Sequence, residues 1–167
     1  MRSLFYFLLF LIITSFFSCV KLGPEGIVDL GIDMIILDKQ GENLLEISND
    51  KKIVQDSIKI FYIENGIEKE FYESNLDFPR NFYIYDDDEY RKVFRIFLTN
   101  DLSLTGMRRV IVKWNSKDQD IIDGHFVREE IANGRNEAFY CDSVWVNGVL
   151  KFPNIEFHPY RKFIFIK

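Results

Sequence analysis

The sequence predicts an all-β protein folded as a sandwich, and three observations carry that prediction. From residue 28 onward apolar side chains recur with a period of two rather than 3.6. Turn residues interrupt these runs about every ten positions, the spacing of short strands that fold back on one another. The same region holds no convincing run of apolar residues at the spacing of an amphipathic helix.

Taken in order, the first strand reads from Val28, with Leu30, Ile32, Met34 and Ile36 alternating against Asp29, Gly31, Asp33 and Ile35. Asp38-Lys39-Gln40-Gly41 then turns the chain. Residues 57–72 form the clearest hairpin, because Asn65-Gly66 takes the positive φ angles of a type I′ turn. With that tip, Ile60 is expected opposite Phe71 and Tyr62 opposite Lys69. Ile58, Ile60, Ile67 and Phe71 then share the expected core face, while Lys59, Glu68 and Glu70 lie on the other with Phe61, Ile63 and Tyr72. Residues 82–85 make a short strand. Residues 90–99 follow, with Phe94, Ile96 and Leu98 on one side and Arg91, Arg95 and Thr99 on the other. Over 109–114, Val110, Val112 and Trp114 point inward, and Arg109 and Lys113 outward. Strands at 125–131 and 139–146 come next. A second hairpin turns on Asn147-Gly148, pairing Val146 with Val149 and Trp145 with Leu150. Pro153 marks an edge or a bulge, and 160–166 is the last strand. The total is roughly seven to nine antiparallel strands, an immunoglobulin-like β-sandwich.

The amino-terminal segment has a different character. After Met1-Arg2-Ser3, residues 4–17 are apolar except for Thr14 and Ser15. At ~1.5 Å per residue this run covers about 21 Å, short of the roughly 30 Å hydrocarbon core of a bilayer. It reads as a signal peptide, residues 1–18, rather than a spanning helix. Ser18 stands directly before Cys19, and in this the segment resembles the signal peptides of bacterial lipoproteins. Phe16 and Phe17 stand where that family favours Leu or Val and a small residue. The resemblance implies that Cys19 carries a diacylglycerol thioether and an acylated amino group, a multi-chain anchor that holds stably to a membrane. Val20 in the following position implies the outer membrane. Lys21 is not followed by an acidic pair, so a periplasm-facing domain is expected rather than a surface-exposed one. An uncleaved anchor, and a secreted chain in which Cys19 pairs with Cys141, are the competing accounts. The expected organisation is thus a signal peptide (1–18), a lipid-anchored tether (19–27) reaching at most ~30 Å, and the sandwich domain (28–167).

The run Leu37-Asp38-Lys39-Gln40-Gly41-Glu42-Asn43-Leu44-Leu45 also resembles a recurring opening of small bacterial lipoproteins. Val112-Lys113-Trp114 followed by Asp120-Ile121-Ile122, and Trp145-Val146-Asn147-Gly148, are similar too. What this resemblance implies is a membrane-tethered β-sandwich; it brings no catalytic residues.

Without residues 1–18 the chain has 20 basic and 26 acidic residues, net −6, because Arg2 is the only charge removed. Such a surface does not attract nucleic acid, whose binding needs clustered Lys and Arg. Asp86-Asp87-Asp88-Glu89 is a weak calcium candidate, set against a plain solvated turn, and it lacks the spaced ladder of an EF-hand. Asn115, Asp118, Asp120 and Asp123-Gly124 read as a second acidic loop. His125 and His158 lie in no zinc motif, and no motif backs a Cys141–His125 nucleophile and base. Cys141, in an apolar run, reads as a core residue. No enzyme motif and no cofactor fingerprint is present, so neither a catalytic role nor a cofactor is expected. Planar aromatics on a sheet face are the remaining lead, since they stack on sugar rings or anchor a protein. Trp145 with Phe152 is the first candidate platform, and Tyr83 with Tyr85 the second. The expected partners are a membrane, through the lipid, and an envelope protein or glycan. The apolar run Phe163-Ile164-Phe165-Ile166 leaves open an assembly role through strand addition.

Overall fold

The computed structural model describes residues 27–89, 91–99, 101–103, 105–131, 136–153 and 161–167. The signal segment, Cys19, nearly all of the tether and His158 lie outside them. The described residues form eleven strands, one short 3-10 turn at Gln55–Ser57 and no α-helix. In chain order these are β1 (Ile27–Asp29), β2 (Gly31–Leu37), β3 (Lys59–Glu64), β4 (Ile67–Glu70), β5 (Phe82–Asp87), β6 (Arg91–Phe97), β7 (Gly106–Lys113), β8 (Gln119–Ile131), β9 (Asn136–Val146), β10 (Val149–Phe152) and β11 (Lys162–Ile166). The larger sheet runs β1-β9-β8-β7-β3-β4, with β10 also paired to β9; the smaller runs β11-β2-β6-β5.

Both hairpins have the expected registers. Tyr62 pairs with Lys69 across Asn65-Gly66, and Trp145 pairs with Leu150 across Asn147-Gly148. Asn65 and Asn147 sit at φ 53° and 51°, each followed by a glycine at positive φ, as a type I′ turn requires. Reach, not parity, is where the first hairpin departs. Ile58 and Ile60 are fully buried and Phe71 nearly so, but Ile67 is 70% exposed. It shares their face at the hairpin tip, beyond the edge of the core.

Two ladders are parallel rather than antiparallel. β1 lies parallel to β9, Val28 beside Phe139, and β2 lies parallel to β11, Met34 beside Phe163. Parallel neighbours need a long connection and leave no turn signature, so spacing alone could not reveal them. The single strand expected from Val28 is also divided. β1 belongs to the larger sheet and β2 to the smaller, with the chain crossing between them at Leu30.

The core lies between the sheets. Ile32, Met34, Phe94 and Ile96 of the smaller sheet face Ile60, Val110, Val112, Ile122 and Val144 of the larger. Trp114 is 1% exposed, edge-on to Phe94 with 5.1 Å between ring centroids. Gly124 marks a close approach of the layers, because a Cβ there would lie 2.7 Å from Leu98 Cδ1. The expected acidic loop is shorter than its sequence implied. β8 starts at Gln119, so Asp120, Asp123 and Gly124 are strand residues. Their poor strand propensity is offset by partners: Asp123 takes two bonds from the Arg109 guanidinium at 2.7 and 2.9 Å, while Asp120 is held on the core side.

Candidate functional site

Alternation along β2, β6 and β5 sends Asp33, Arg95, Tyr83 and Tyr85 to the outer face of the smaller sheet. Cross-strand register then aligns Asp33, Arg95 and Tyr83 in one row. A carboxylate at a nearly buried position needs its charge met, and Arg95 meets it as a fork. Nε donates to Asp33 Oδ1 at 2.6 Å and Nη2 to Oδ2 at 2.5 Å. The Tyr85 hydroxyl adds a bond to Oδ2 at 3.0 Å, and Arg95 Nη1 donates to the Tyr83 hydroxyl at 3.1 Å. The Asp33 bond pushes Arg95 further above its ordinary range, despite the opposing effect of burial. Burial first, then the Asp33 charge, pushes the Tyr85 phenol up. Arg95 and Tyr85 therefore keep their protons throughout the physiological range.

An aromatic array surrounds this pair. Phe78 stacks on Tyr83 at 4.2 Å, Phe97 lies 6.2 Å from each, and Tyr85 lies 5.8 Å from Tyr83. The Arg95 guanidinium carbon sits 5.3 Å from the centroid of the Tyr85 ring. Phe78 remains 39% exposed, so the array ends in an open ring. From there Phe78 and Phe97 continue into a cleft of about 300 Å³ with Leu30, Leu76, Asn81 and Thr99. Asn81 stands at φ 59°, and its amide donates to the Tyr62 hydroxyl, which in turn donates to the Phe97 carbonyl at 2.7 Å.

The second candidate platform, Tyr83 with Tyr85, is thus one assembled surface. The first is not. A register shift between Leu150 and Phe152 sets Phe152 opposite Val144 and turns it into the core, 8% exposed. Trp145 stays half-buried on the outer face of the larger sheet, aligned with Asp123 and Arg109. The bulge therefore separates the pair onto two sides of the sheet.

Asp86, Asp87, Asp88 and Glu89 span the end of β5 and the turn after it. Asp86 pairs with Lys92 at 2.6 Å, Asp87 with Lys162 at 2.8 Å, and the Glu89 amide donates to Asp87 at 3.0 Å. Among the described residues no three His, Cys, Asp or Glu side chains are grouped to hold a metal. Cys141 is fully buried and forms no disulfide among the described residues, and burial pushes its thiol up to about 12. His125 bonds Asp142 at 2.9 Å, and alternation places it on the face of β8 opposite the core, so it does not serve Cys141 as a base. At the end of the sandwich that carries Leu37 and Lys167, a cleft of about 430 Å³ is lined by Asp38, Lys51, Asp118 and Lys167. The Lys167 ammonium pairs there with Asp118 at 3.0 Å and with Asp120.

Asp33, Phe78, Arg95 and Phe97 belong to the site but were not singled out from the sequence. One signal was present: Asp33 interrupts Ile32-Met34-Ile35-Ile36, and a charge inside such a run demands a partner on its own face. No protein-family model, curated protein or solved structure matches this chain.

Proposed function

We propose that the chain is a non-catalytic lipoprotein of the cell envelope. It is held to the outer membrane through Cys19, and its immunoglobulin-like sandwich presents a binding face to an envelope glycan. The observation that carries this reading is the aromatic array of Phe78, Tyr83, Tyr85 and Phe97 around the Arg95–Asp33 pair. Aromatic rings accept the C–H faces of sugars, and fixed hydroxyls and guanidinium donors orient a ligand's polar groups. The anchor rests on the sequence pattern of residues 1–19. Asp118 and Asp120 share one ammonium, which favours a structural over a catalytic role for that carboxylate pair. Assembly by donating the last strand is the weaker alternative. β11 is already paired with β2, and Phe163 and Phe165 are 3% and 7% exposed, so releasing it would open the core.

Metabolic palmitate labelling of wild type beside Cys19→Ala, with membrane fractionation, tests the anchor; label should appear in the wild type only. An unlabelled, soluble wild type would overturn it. Retention of the detergent-solubilised full chain on immobilised envelope polysaccharide tests the face. Phe78→Ala should weaken retention several-fold, as loss of one stacking ring does. Equal retention by both proteins would reject the platform.

A further inference from the structure

Asn-Gly stands at 65–66, 133–134 and 147–148. The middle pair lies outside the described residues, and the other two close the two hairpins with almost the same backbone. Asn65 and Asn147 have φ 53° and 51°, and Gly66 and Gly148 have φ 81° and 78°. A Cβ built on either glycine would meet no atom within 4 Å, so both turns stand open.

The two asparagine side chains are held differently. Asn147 Oδ1 accepts from the Ile121 amide at 2.9 Å, and its Nδ2 donates to the Asp120 carboxylate at 2.7 Å. Its own amide donates to the Ile121 carbonyl at 2.8 Å. The Asn65 carboxamide forms no hydrogen bond with any described residue, and neither does the Gly66 amide. An asparagine is attacked by the backbone nitrogen that follows it, and glycine has no Cβ to crowd that nitrogen. Attack also needs a carboxamide free to turn toward the nitrogen, and only Asn65 of this pair has that freedom.

We propose that Asn65 is a self-modification site of the folded protein, converting to aspartate and isoaspartate while Asn147 is kept intact, and that the isoaspartate form releases β4. The Gly66 nitrogen bonds to Asn65 Cγ, the Cγ–Nδ2 bond breaks, and the amide proton leaves with the nitrogen as ammonia. Water then opens the five-membered imide at either carbonyl, giving aspartate or isoaspartate. Isoaspartate carries the backbone through the former side chain, and the paired positive φ angles of the turn are lost. β4 is an edge strand with every residue exposed, paired only with β3. Its ion pairs, Lys59–Glu70, Lys69–Glu64 and Lys113–Glu68, lie at the surface, where such pairs hold weakly. Phe71 is nearly buried and its amide donates to the Ile60 carbonyl at 2.8 Å, so the release stops at the base of the hairpin. Nothing in this depends on what the aromatic face binds.

Incubation of the detergent-solubilised full chain at mildly alkaline pH, with peptide mapping by mass spectrometry, tests the site. Asn65 should convert at least about tenfold faster than Asn147, which must first break its bonds to β8. In urea the two should convert at comparable rates. No conversion of Asn65 in the folded chain, equal loss at both positions, or a difference that persists in urea would each overturn the assignment. Amide hydrogen exchange of the separated isoaspartate form tests the release: Lys69 should lose protection while Phe71 keeps it. Fresh Asn65→Asp carries the same charge on an unaltered backbone and should keep Lys69 protected. Protection of Lys69 in the isoaspartate form, or its loss in Asn65→Asp as well, would reject the release.

Discussion

Asp120 sits on the core side of β8, 6% exposed, with three donors around it. Trp114 Nε1 reaches one oxygen at 2.6 Å, Asn147 Nδ2 the other at 2.7 Å, and the Lys167 ammonium completes the set. Burial pushes this carboxyl up, but bonds from Lys167, Asn147 and Trp114 together outweigh it and leave the group below its ordinary 3.8. A carboxylate with a lowered folded-state pKa stabilises the fold above its unfolded value, and that contribution disappears as pH falls through the folded one. Lys167→Met removes the cation and leaves a buried anion with two neutral donors. The expected loss at pH 7 is about 2 kcal/mol, below that for a fully buried pair because the Asp118 side is open to solvent. Below about pH 4 the difference should shrink, since a protonated Asp120 no longer needs the ammonium. Urea denaturation of both proteins at pH 7 and pH 3 measures this; a constant difference would show that Lys167 acts through packing alone.

Within elements, the β3–β4 hairpin separates what local chemistry dictates from what the surrounding core decides. Asn65-Gly66 sets the register by its backbone preferences, and parity follows. Whether a residue of the right parity is buried depends on what stands opposite, and none of the described residues covers Ile67. Ile60→Ala should therefore cost about 3 kcal/mol, as for a fully buried isoleucine. Ile67→Thr should change stability by no more than about 0.5 kcal/mol. Chemical denaturation of the two variants checks the contrast, and comparable losses would mean that the tip is covered in solution. The β9–β10 hairpin shows the opposite failure. Its turn was legible in Asn147-Gly148, and Pro153 pointed to an edge or a bulge in the return strand, but that the shift falls before Phe152 was not legible, because one extra residue in a strand leaves no mark on composition. Tyr83 and Tyr85 could be read as sharing a face from their spacing of two. Phe78 could not join them on paper, since a loop has no period to extrapolate.

At the scale of the whole molecule, the all-β class followed from strand periodicity, whereas the partition into two sheets rests on long-range pairings. β1 finds β9, and β2 finds β11, across more than a hundred residues. The Asp33–Arg95–Tyr83 row inherits this dependence: Asp33 arrives on β2, Arg95 on β6 and Tyr83 on β5, and only the assembled sheet brings them together.

The parallel seam between β2 and β11 has a mechanical consequence. Side by side and pointing the same way, these strands carry opposed loads when the chain is drawn from Ile27 at one end and Lys167 at the other. Tension then runs lengthwise through all five paired positions from Asp33–Lys162 to Leu37–Ile166, and they must give way together. A pull across the tip-to-base axis of the β3–β4 hairpin instead opens one rung at a time. Single-molecule stretching should find a sharp, high rupture force for the first direction and a low, gradual one for the second.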